Sequence, residues 1–302
     1  PENPFVGLKQ EFSTMDVVVC TTDDGGSTGL LLKELPMIGI GDFRKVLLSL
    51  ILSENLQETY GLDDVATGQL VRAIHAVFNY RFPEGFRKFR CVANPLLLLP
   101  QDLRKTVPRP LSNLLISLGT YISQGGDGPT ISPGGHCLGN LMLTSAIFKS
   151  AGRTIDHPPG LAAITEGIEL LSRAIGVPPG TLHPATATPG QLVLRYSNGV
   201  AVRGQDKSAI TRRHLPIDRV SIECCDAPLV SPAVCNAIRE ADIILFAPGS
   251  LYTSIMPILQ VPAIVQAIRE NRKALKILGA NFLVQAGETD ISRRRWNRGL
   301  YV

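Results

Sequence analysis

The sequence predicts an α/β protein with a Rossmann-like, doubly wound and mainly parallel β-sheet. Short apolar runs alternate with segments of helical period, which is the pattern of strands and helices that wind such a sheet. Two of the runs, 17–20 and 242–246, end in loops rich in Gly, Ser and Thr. Ligands of doubly wound sheets bind beyond the carboxyl ends of the strands. The fold class therefore also predicts where a ligand binds.

In the N-terminal half, the run Val17–Cys20 predicts a buried parallel strand. Gly41 and Asp42 are expected to begin a helix with Asp42 as its N-cap and residues 43–52 as its body. Further helices are predicted at 67–80, 111–123 and 138–150, after a helix end at 5–12. The proline-rich stretch 83–110 lacks a clear period and predicts an insertion that extends to about residue 133.

In the C-terminal half, Asn198 and Gly199 predict a tight turn between strands at 192–196 and 200–203. This hairpin is an addition to the parallel sheet. The other predicted strands are 219–223, a buried strand at 242–246, and 275–280; the predicted helices are 161–175, 232–240 and 261–270. We expect residues 1–302 to form one nucleotide-binding domain.

The composition excludes several classes of protein. The 302 residues are 44% hydrophobic and 19% charged, which argues against disorder. No apolar run approaches the roughly 18 residues of a membrane-spanning helix. The 30 basic residues exceed the 26 acidic ones by four, and residues 293–298 alone contain four arginines. Without a basic stripe interleaved with aromatics, we expect neither a nucleic-acid nor a membrane partner.

The cysteines and histidines give no metal or disulfide pattern. The six cysteines form no C-x-x-C pair and the five histidines are dispersed. We therefore expect reduced thiols, a cytoplasmic location and no bound zinc.

The first loop after a strand is the stronger candidate for a ligand site. Its glycines let the backbone approach an anion, and its hydroxyls and the helix amides can hold phosphate oxygens. Its two adjacent carboxylates can hold Mg²⁺, accept sugar hydroxyls or act as a general base. Alternatively, one caps the next helix and the other is solvated. The candidate residues are Asp23, Asp24, Gly25, Gly26, Ser27 and Thr28.

The second loop has similar chemistry but no carboxylate. It supplies Gly249, Ser250, Tyr252, Thr253 and Ser254. Neither loop contains the G-x-x-x-x-G-K-[ST] pattern of a P-loop, and no G-x-S-x-G elbow occurs. The two loops therefore predict a phosphate site of another type.

Four further side chains are candidates. Arg44 is a candidate phosphate partner, or else forms an ion pair with Asp42 or Glu34. His136 precedes a helix that contains Asn140, so its alternative role is capping or packing. Asn281 follows the last predicted strand, which places it at the same edge of the sheet.

Taken together, these segments resemble the family that joins 2-phospho-L-lactate transferases and bacterial gluconeogenesis factors. The resemblance covers most of the chain from about residue 17 to 289. Its motifs are Asp23-Asp24-Gly25-Gly26-Ser27-Thr28, Gly41-Asp42-Phe43-Arg44, Tyr80-Arg81-Phe82, Gly135-His136-Cys137-Leu138-Gly139-Asn140, Ala247 through Ile255 and Asn281 through Thr289.

This resemblance implies a Rossmann-like domain that binds a nucleoside diphosphate or its conjugate, commonly as a homodimer. The transferase branch moves phospholactate from a guanosine diphosphate conjugate to a deazaflavin alcohol with Mg²⁺. The gluconeogenesis-factor branch, to which the motifs are closer, binds a UDP-sugar and regulates cell-envelope metabolism. No flavin, NAD or zinc is implied as a resident group.

Two further expectations follow from the resemblance. Family members begin with a strand and a Gly-Gly-Gly-Thr-Gly loop, so we expect those segments to be missing from the given sequence. A transferase also needs an acceptor pocket, for which Phe82, Phe86 and Phe89 are available; the alternative is that they form a small core.

Overall fold

The computed structural model describes residues 11–12, 14–124, 129–152, 156–204 and 215–280. The described helices are α1 (Gly26–Glu34), α2 (Gly41–Ser49), α3 (Ser53–Tyr60), α4 (Asp64–Asn79), α5 (Arg90–Ala93), α6 (Gln101–Thr106), α7 (Arg109–Ser123), α8 (Leu138–Ala151), α9 (Leu161–Ala174), α10 (Pro232–Glu240), α11 (Met256–Ile258) and α12 (Pro262–Glu270). The strands are β1 (Val17–Val19), β2 (Leu182–Pro184), β3 (Gly190–Tyr196), β4 (Ala201–Arg203), β5 (Ile217–Cys224), β6 (Ile243–Phe246) and β7 (Leu275–Leu278). Pro95–Leu98 forms a 3₁₀ turn and Leu251–Ile255 a π-helical turn.

Parallel strand pairing confirms the predicted α/β class. β1 pairs with β2, and β6 pairs with β7, both in parallel. Within the described ranges no ladder joins the two pairs. The prediction of a fully buried strand at 242–246 is wrong, because Ile243 is 39% exposed and β6 faces a large cavity.

The predicted hairpin forms part of a separate antiparallel sheet with the order β4-β3-β5. Gly199 has a φ of 82°, which a side chain would disfavour, and Val200 N donates to Asn198 Oδ1 at 3.2 Å. The positive φ of Gly199 and this hydrogen bond together define the tight turn. β5 extends the predicted strand by two residues before it and one after it.

The main core packs around α8, in which every residue from Leu138 to Phe148 is buried. Other elements cover this stretch on all sides, so it buries polar side chains such as Asn140 and Thr144 together with its apolar ones. The stretch predicted as an insertion contributes to this core, where Val92, Leu96 and Leu118 are buried. Its helices α5 to α7 therefore pack with the rest of the fold.

The prediction that Asp42 caps α2 is wrong. The helix begins at Gly41 after the N-cap Ile40, and no side chain caps it. A Cβ on Gly41 would lie 1.8 Å from Asp23 Oδ2, so the carboxylate against the helix start is that of Asp23. The helix also ends at Ser49, three residues before the predicted end.

Two of the three phenylalanines that were candidates for an acceptor pocket belong to the main core: Phe82 is part of it and Phe86 packs against it. Phe82 is 1% exposed, and its ring centroid lies 5.0 Å from that of Tyr80 and 4.9 Å from that of Phe86. None of Phe82, Phe86 and Phe89 lines the large cavity.

In the part of the chain that the structure describes, no single helix is long and apolar enough to cross a membrane. The segments Leu251–Ile258 and Pro262–Glu270 reach that length and composition only when they are counted together, and they are bent by 73°.

Candidate functional site

A large open cavity of about 2560 Å³ runs along β1 and β6 and reaches the loops that follow both strands. It is lined by residues of the first loop, the start of α2, the second loop and the hairpin sheet. The two loops that the sequence analysis selected thus lie on one cavity, as their positions after parallel strands predict.

Two contacts join these loops directly. Cys20, at the end of β1, donates its thiol to the carbonyl of Thr253 at 3.6 Å. Ser254 Oγ donates to Asp42 Oδ2 at 3.1 Å, which ties the second loop to the first turn of α2. Burial raises the pKa of the Cys20 thiol to about 11, so this thiol stays protonated as a donor.

The carboxylates of the first loop face different parts of the site. Asp23 Oδ1 accepts the Gly25 N–H at 3.0 Å. Burial raises the Asp23 pKa; the Gly25 hydrogen bond opposes this, and the Asp42 charge adds to it. A Cβ on Gly204 would lie 2.3 Å from Asp24 Oδ2, so Asp24 lies against the end of β4. Neither carboxylate caps α1, whose N-cap is Gly25 without a side-chain bond.

Ser27 and Thr28 are held by a buried polar cluster beneath the loop. Ser27 Oγ accepts from Cys137 N at 2.9 Å and from Asn140 Nδ2 at 3.3 Å. The same Asn140 amide donates to Thr28 Oγ1 at 3.3 Å. These two hydroxyls therefore fix the loop. Thr28 N and Gly29 N donate to Gly25 O, so the amides that the first turn of α1 offers to a ligand are those of Gly26 and Ser27.

His136 and Asn140 have different positions in this cluster. His136 is 1% exposed, does not line the cavity and has its Nδ1 3.5 Å from Ser27 Oγ. Burial lowers its pKa from 6.5, which keeps the ring neutral at neutral pH. Asn140 does line the cavity, and its Oδ1 is buried without a hydrogen-bond partner among the described residues.

Three basic side chains line the cavity near the starts of α1 and α2: Arg44, Lys45 and Arg81. Arg44 Nη1 donates to Asn79 Oδ1, and its stem packs on Gly139, where a Cβ would lie 2.7 Å from Arg44 Cδ. Among the described residues, Arg44 forms no ion pair with Asp42 or Glu34, and Asp42 pairs with Lys45 at 3.1 Å instead.

Lys45 and Arg81 were not selected from the sequence as site residues. Arg81 donates to Gly135 O at 3.2 Å, so it bridges to the segment before α8. Its place in the Tyr-Arg-Phe motif was the available signal. For Lys45, the sequence contained no signal of a site residue. Its spacing of three residues from Asp42 indicates only an ion pair within the helix.

The second loop is organised by its own hydroxyls. Ser250 caps the turn Leu251–Ile255, with its Oγ accepting from Thr253 N at 3.1 Å and bonded to Thr253 Oγ1. Gly249, Ser250, Thr253 and Ser254 line the cavity. Tyr252 instead packs against the apolar cluster of the hairpin sheet.

The hairpin sheet adds polar side chains that the sequence analysis missed. Gln191, Arg203 and Glu223 all line the cavity. They come from three different strands, so only the strand register brings them together. The candidate Asn281 lies outside the described residues.

The donors for a metal are limited to carboxylates. Over the described ranges no group of three or more His, Cys, Asp or Glu side chains could hold a metal ion. Mg²⁺ is commonly held by one or two carboxylates together with phosphate oxygens and waters. Asp23 and Asp24 both line the cavity, so either carboxylate can be the single protein ligand that this mode of binding requires.

Comparison with known proteins shows the family. Residues 4–296 match the family model of 2-phospho-L-lactate transferase CofD. The chain is 30% identical over 285 residues to a putative gluconeogenesis factor of Thermotoga maritima, covering 94% of this chain and 65% of the relative. It is 29% identical over 288 residues to a gluconeogenesis factor of Halalkalibacterium halodurans, covering 94% of this chain and 64% of that protein. A putative gluconeogenesis factor of Deinococcus radiodurans is 27% identical, covering 95% of this chain and 45% of its own length.

Solved structures agree with this result. Two crystal structures of a Bacillus halodurans protein, one described as a member of the UPF0052 family, each have a TM-score of 0.62 with this chain. They are 27% and 26% identical to it, and each comparison covers 95% of this chain and 67% of the other. The chain spans between about half and two thirds of the length of these curated relatives. Because the family model matches nearly the whole chain, this protein belongs to the 2-phospho-L-lactate transferase CofD family and is similar to gluconeogenesis factors.

Proposed function

We propose that this protein binds a nucleoside diphosphate or a nucleotide sugar of the UDP-sugar type and acts as a regulator in carbon and cell-envelope metabolism. The observation that carries this proposal is the junction of two strand-end loops on one cavity, through Cys20 to Thr253 and Ser254 to Asp42. The names of the similar proteins support a gluconeogenesis-factor function, and the regulatory role and the UDP-sugar ligand are part of our proposal.

The diphosphate binds at the start of α1 in this proposal. The first-turn amides and the helix dipole attract an anion. Arg44, Lys45 and Arg81 line the same part of the cavity and add positive charge. Arg44 Nε is buried without a hydrogen-bond partner among the described residues, so an oxygen of the ligand would satisfy it.

Mg²⁺ enters this proposal as a bridge between the carboxylates and the phosphates. Asp23 and Asp24 would hold it, and the ion would neutralise the charge of the diphosphate. Because the pKa of Asp23 is raised, protons compete with the metal for this carboxylate more strongly than usual. Binding that needs Mg²⁺ is therefore expected to weaken as the pH falls toward that raised pKa.

A second candidate function is a Mg²⁺-dependent transferase of phosphorus-containing groups, which moves a phospho-acid from a guanosine diphosphate conjugate to a deazaflavin-like alcohol. The matching family model is described as 2-phospho-L-lactate transferase CofD, which supports a transferase. Asp23 favours it, because a carboxyl with a raised pKa on the cavity is a candidate general base toward a hydroxyl. The flat acceptor would have to bind within the cavity, away from Phe82, Phe86 and Phe89.

Thermal unfolding with added ligand tests the proposal. The 302-residue chain is heated with UDP, UDP-N-acetylglucosamine or GDP, each with and without Mg²⁺. A ligand at 100 times its Kd stabilises by about 2.7 kcal/mol, which raises the Tm by several degrees. A rise with the UDP-sugar supports the regulator, and a Mg²⁺-dependent rise with GDP supports the transferase. No rise with any of the three contradicts nucleotide binding.

Variants locate the site. Asp24→Asn is expected to weaken Mg²⁺-dependent binding and leave the ligand-free Tm nearly unchanged. Asp218→Asn is the matched control, because Asp218 is an exposed carboxylate that does not line the cavity. Equal affinity of both variants would remove Asp24 from the site. The homodimer that the resemblance implies is tested separately, by light scattering after size exclusion.

A further inference from the structure

The antiparallel sheet that contains the hairpin forms one wall of the cavity, which we call the hairpin wall. Its polar side chains belong to none of the motifs that the sequence analysis selected. In the register of this sheet, Arg203 of β4 lies opposite Val193 of β3, and Glu223 of β5 lies opposite Gln191. Residues two apart share a face of a strand. Gln191, Arg203 and Glu223 are therefore on one face, and all three line the cavity.

Arg203 and Glu223 form a two-point ion pair across the central strand. Arg203 Nε lies 2.8 Å from Glu223 Oε2, and Nη2 lies 3.3 Å from Oε1. The hydrogen bond from Arg203 lowers the pKa of Glu223, so the pair is ionised at neutral pH. The side chains remain 64% and 52% exposed. An ion pair this exposed contributes little to stability.

Backbone contacts place this pair beside the anion site. Gly204, the residue after Arg203, donates its N–H to Leu192 O at 2.7 Å and lies against the Asp24 carboxylate. At the other side of the sheet, a Cβ on Gly190 would lie 2.6 Å from Cys224 Sγ, so β3 and β5 are closely packed. The pair is thus held in place next to the first loop.

The unused groups of the pair match a sugar. A guanidinium has five N–H donors and a carboxylate has about four acceptor positions, and the pair itself uses two of each. The remaining donors and acceptors lie side by side. Neighbouring hydroxyls of a sugar each donate and accept, so they can bind to both groups at once.

We propose that Arg203 and Glu223 bind the hydroxyls of the sugar that is attached to the diphosphate of a nucleotide sugar. This inference rests on the proposed function, because it extends the ligand from the first loop to the hairpin wall. It makes the pair a specificity determinant: it distinguishes a nucleotide sugar from the nucleoside diphosphate alone.

The chain offers a matched control pair. Arg239 of α10 and Glu270 of α12 form the same kind of ion pair, with Nε 2.6 Å from Oε2 and with 43% and 42% of the side chains exposed. Neither residue lines the cavity. Removing this pair changes charge and surface in the same way without touching the proposed sugar site.

The experiment measures two affinities for three proteins by isothermal titration calorimetry. The ligands are UDP and UDP-N-acetylglucosamine with Mg²⁺, and the proteins are the unchanged chain, Arg203→Met/Glu223→Gln and Arg239→Met/Glu270→Gln. Methionine keeps an apolar stem over Val193. Circular dichroism melting of both double variants checks that they are folded.

The expected result is a selective loss. The unchanged chain binds the nucleotide sugar more tightly than UDP, and the hairpin variant loses this advantage by about tenfold or more, the effect of losing hydrogen bonds to charged groups. Its affinity for UDP and both affinities of the control variant stay unchanged.

Three results would overturn the inference and leave the proposed function standing. These are equal binding of both ligands by the unchanged chain, a retained sugar advantage in the hairpin variant, and a parallel loss of UDP and nucleotide-sugar binding in that variant. If the unchanged chain binds neither ligand, the proposed function fails first and the inference fails with it. This outcome appears before any variant is measured, so the two failures are distinguishable.

Discussion

The two loops on the cavity share a composition but are held in place differently. The first loop is fixed from below by residues more than 100 positions away, through Ser27 to Cys137 and Asn140. The second loop is fixed mainly from within, by the Ser250 hydroxyl and carbonyl, which accept from Thr253 N, Ser254 N and Ile255 N. Long-range contacts to the second loop come from Cys20 and Asp42.

This difference indicates which loop is the rigid part of the site. A loop anchored in a buried long-range cluster opens only when a large part of the fold opens, whereas a turn held mainly by its own bonds can open once its bonds to Cys20 and Asp42 break. We therefore expect the first loop to stay rigid and the second loop to move more easily. The bonds from Cys20 to Thr253 and from Ser254 to Asp42 hold the second loop against the first. Four changes test that distinction, in order of decreasing effect.

The largest effect is expected from Gly29→Ala in α1. A Cβ there would lie 2.1 Å from the Asp24 carbonyl oxygen, so the first loop must shift. We expect a loss of about 2–3 kcal/mol in the free energy of unfolding, as for overpacking of a core. Urea denaturation measures it.

Gly68→Ala in α4 is the matched control, since nothing lies within 4 Å of its added Cβ. Alanine is favoured over glycine in a helix by about 1 kcal/mol, so this variant is expected to be more stable than the unchanged chain. Equal stability of the two variants would contradict the close approach of α1 to the loop.

A smaller loss is expected from Ser27→Ala. The variant leaves the Cys137 N–H and the Asn140 amide without the acceptor that they share in a buried place. An unsatisfied buried donor costs about 1–2 kcal/mol. Denaturant titration with Ser250→Ala as comparison sharpens the contrast, because that change removes a cap from a turn that can open locally. A larger global loss for Ser250→Ala would reverse our ranking of the loops.

Ser254→Ala removes the bond to Asp42 that joins the loops. This bond is only partly buried, so the free energy of unfolding should fall by less than about 1 kcal/mol. Hydrogen exchange should rise at the amides of Ser254 and Ile255, which bond within the turn, and stay constant at those of Thr28 and Gly29. If exchange rises equally in α1, the loops open together and the distinction is lost.

The smallest effect is a change in pH dependence on His136→Gln. Burial lowers the pKa of His136 from 6.5 in the folded state, so the unfolded chain takes up a proton first as the pH falls. The stability that depends on the neutral ring is complete above pH 6.5, the ordinary pKa of histidine in the unfolded chain. It is lost as the pH falls below that value towards the lower pKa of the folded state. As the pH falls from about 7.5 to 5.5, the variant should therefore lose less stability than the unchanged chain, and urea denaturation at several pH values measures the difference.

Two other groups bear on this measurement. The pKa of His75 is also lowered by burial, so His75→Gln should change the pH dependence of stability in the same direction. Because His75 lies away from the first loop, this variant is the control. Asp23 has the opposite sign, because its raised pKa makes the folded chain take up a proton before the unfolded one. An unchanged pH slope in His136→Gln would mean that His136 is not buried as a neutral ring beneath the loop.

Much of the fold was predictable because it depends on local pattern. The run Val17-Val18-Val19 has the composition of a strand, and the Asn198-Gly199 turn depends on its own positive φ and hydrogen bond. Helix positions at α7, α8 and α10 agree with the prediction to within two residues. The start of α2 was predicted wrongly because the group against it, Asp23, belongs to another segment.

The sequence by itself determined the α/β class, the family and the two loops that follow β1 and β6, since these depend on neighbours along the chain. Only the tertiary structure decided which side chains face the cavity. In the folded chain, the Ser27 hydroxyl and the His136 ring point into the buried polar cluster. Arg203 and Glu223 lie on the hairpin sheet, where they line the cavity. The physical reason is that burial and pairing are set by atoms that are distant in sequence, and no local pattern records them.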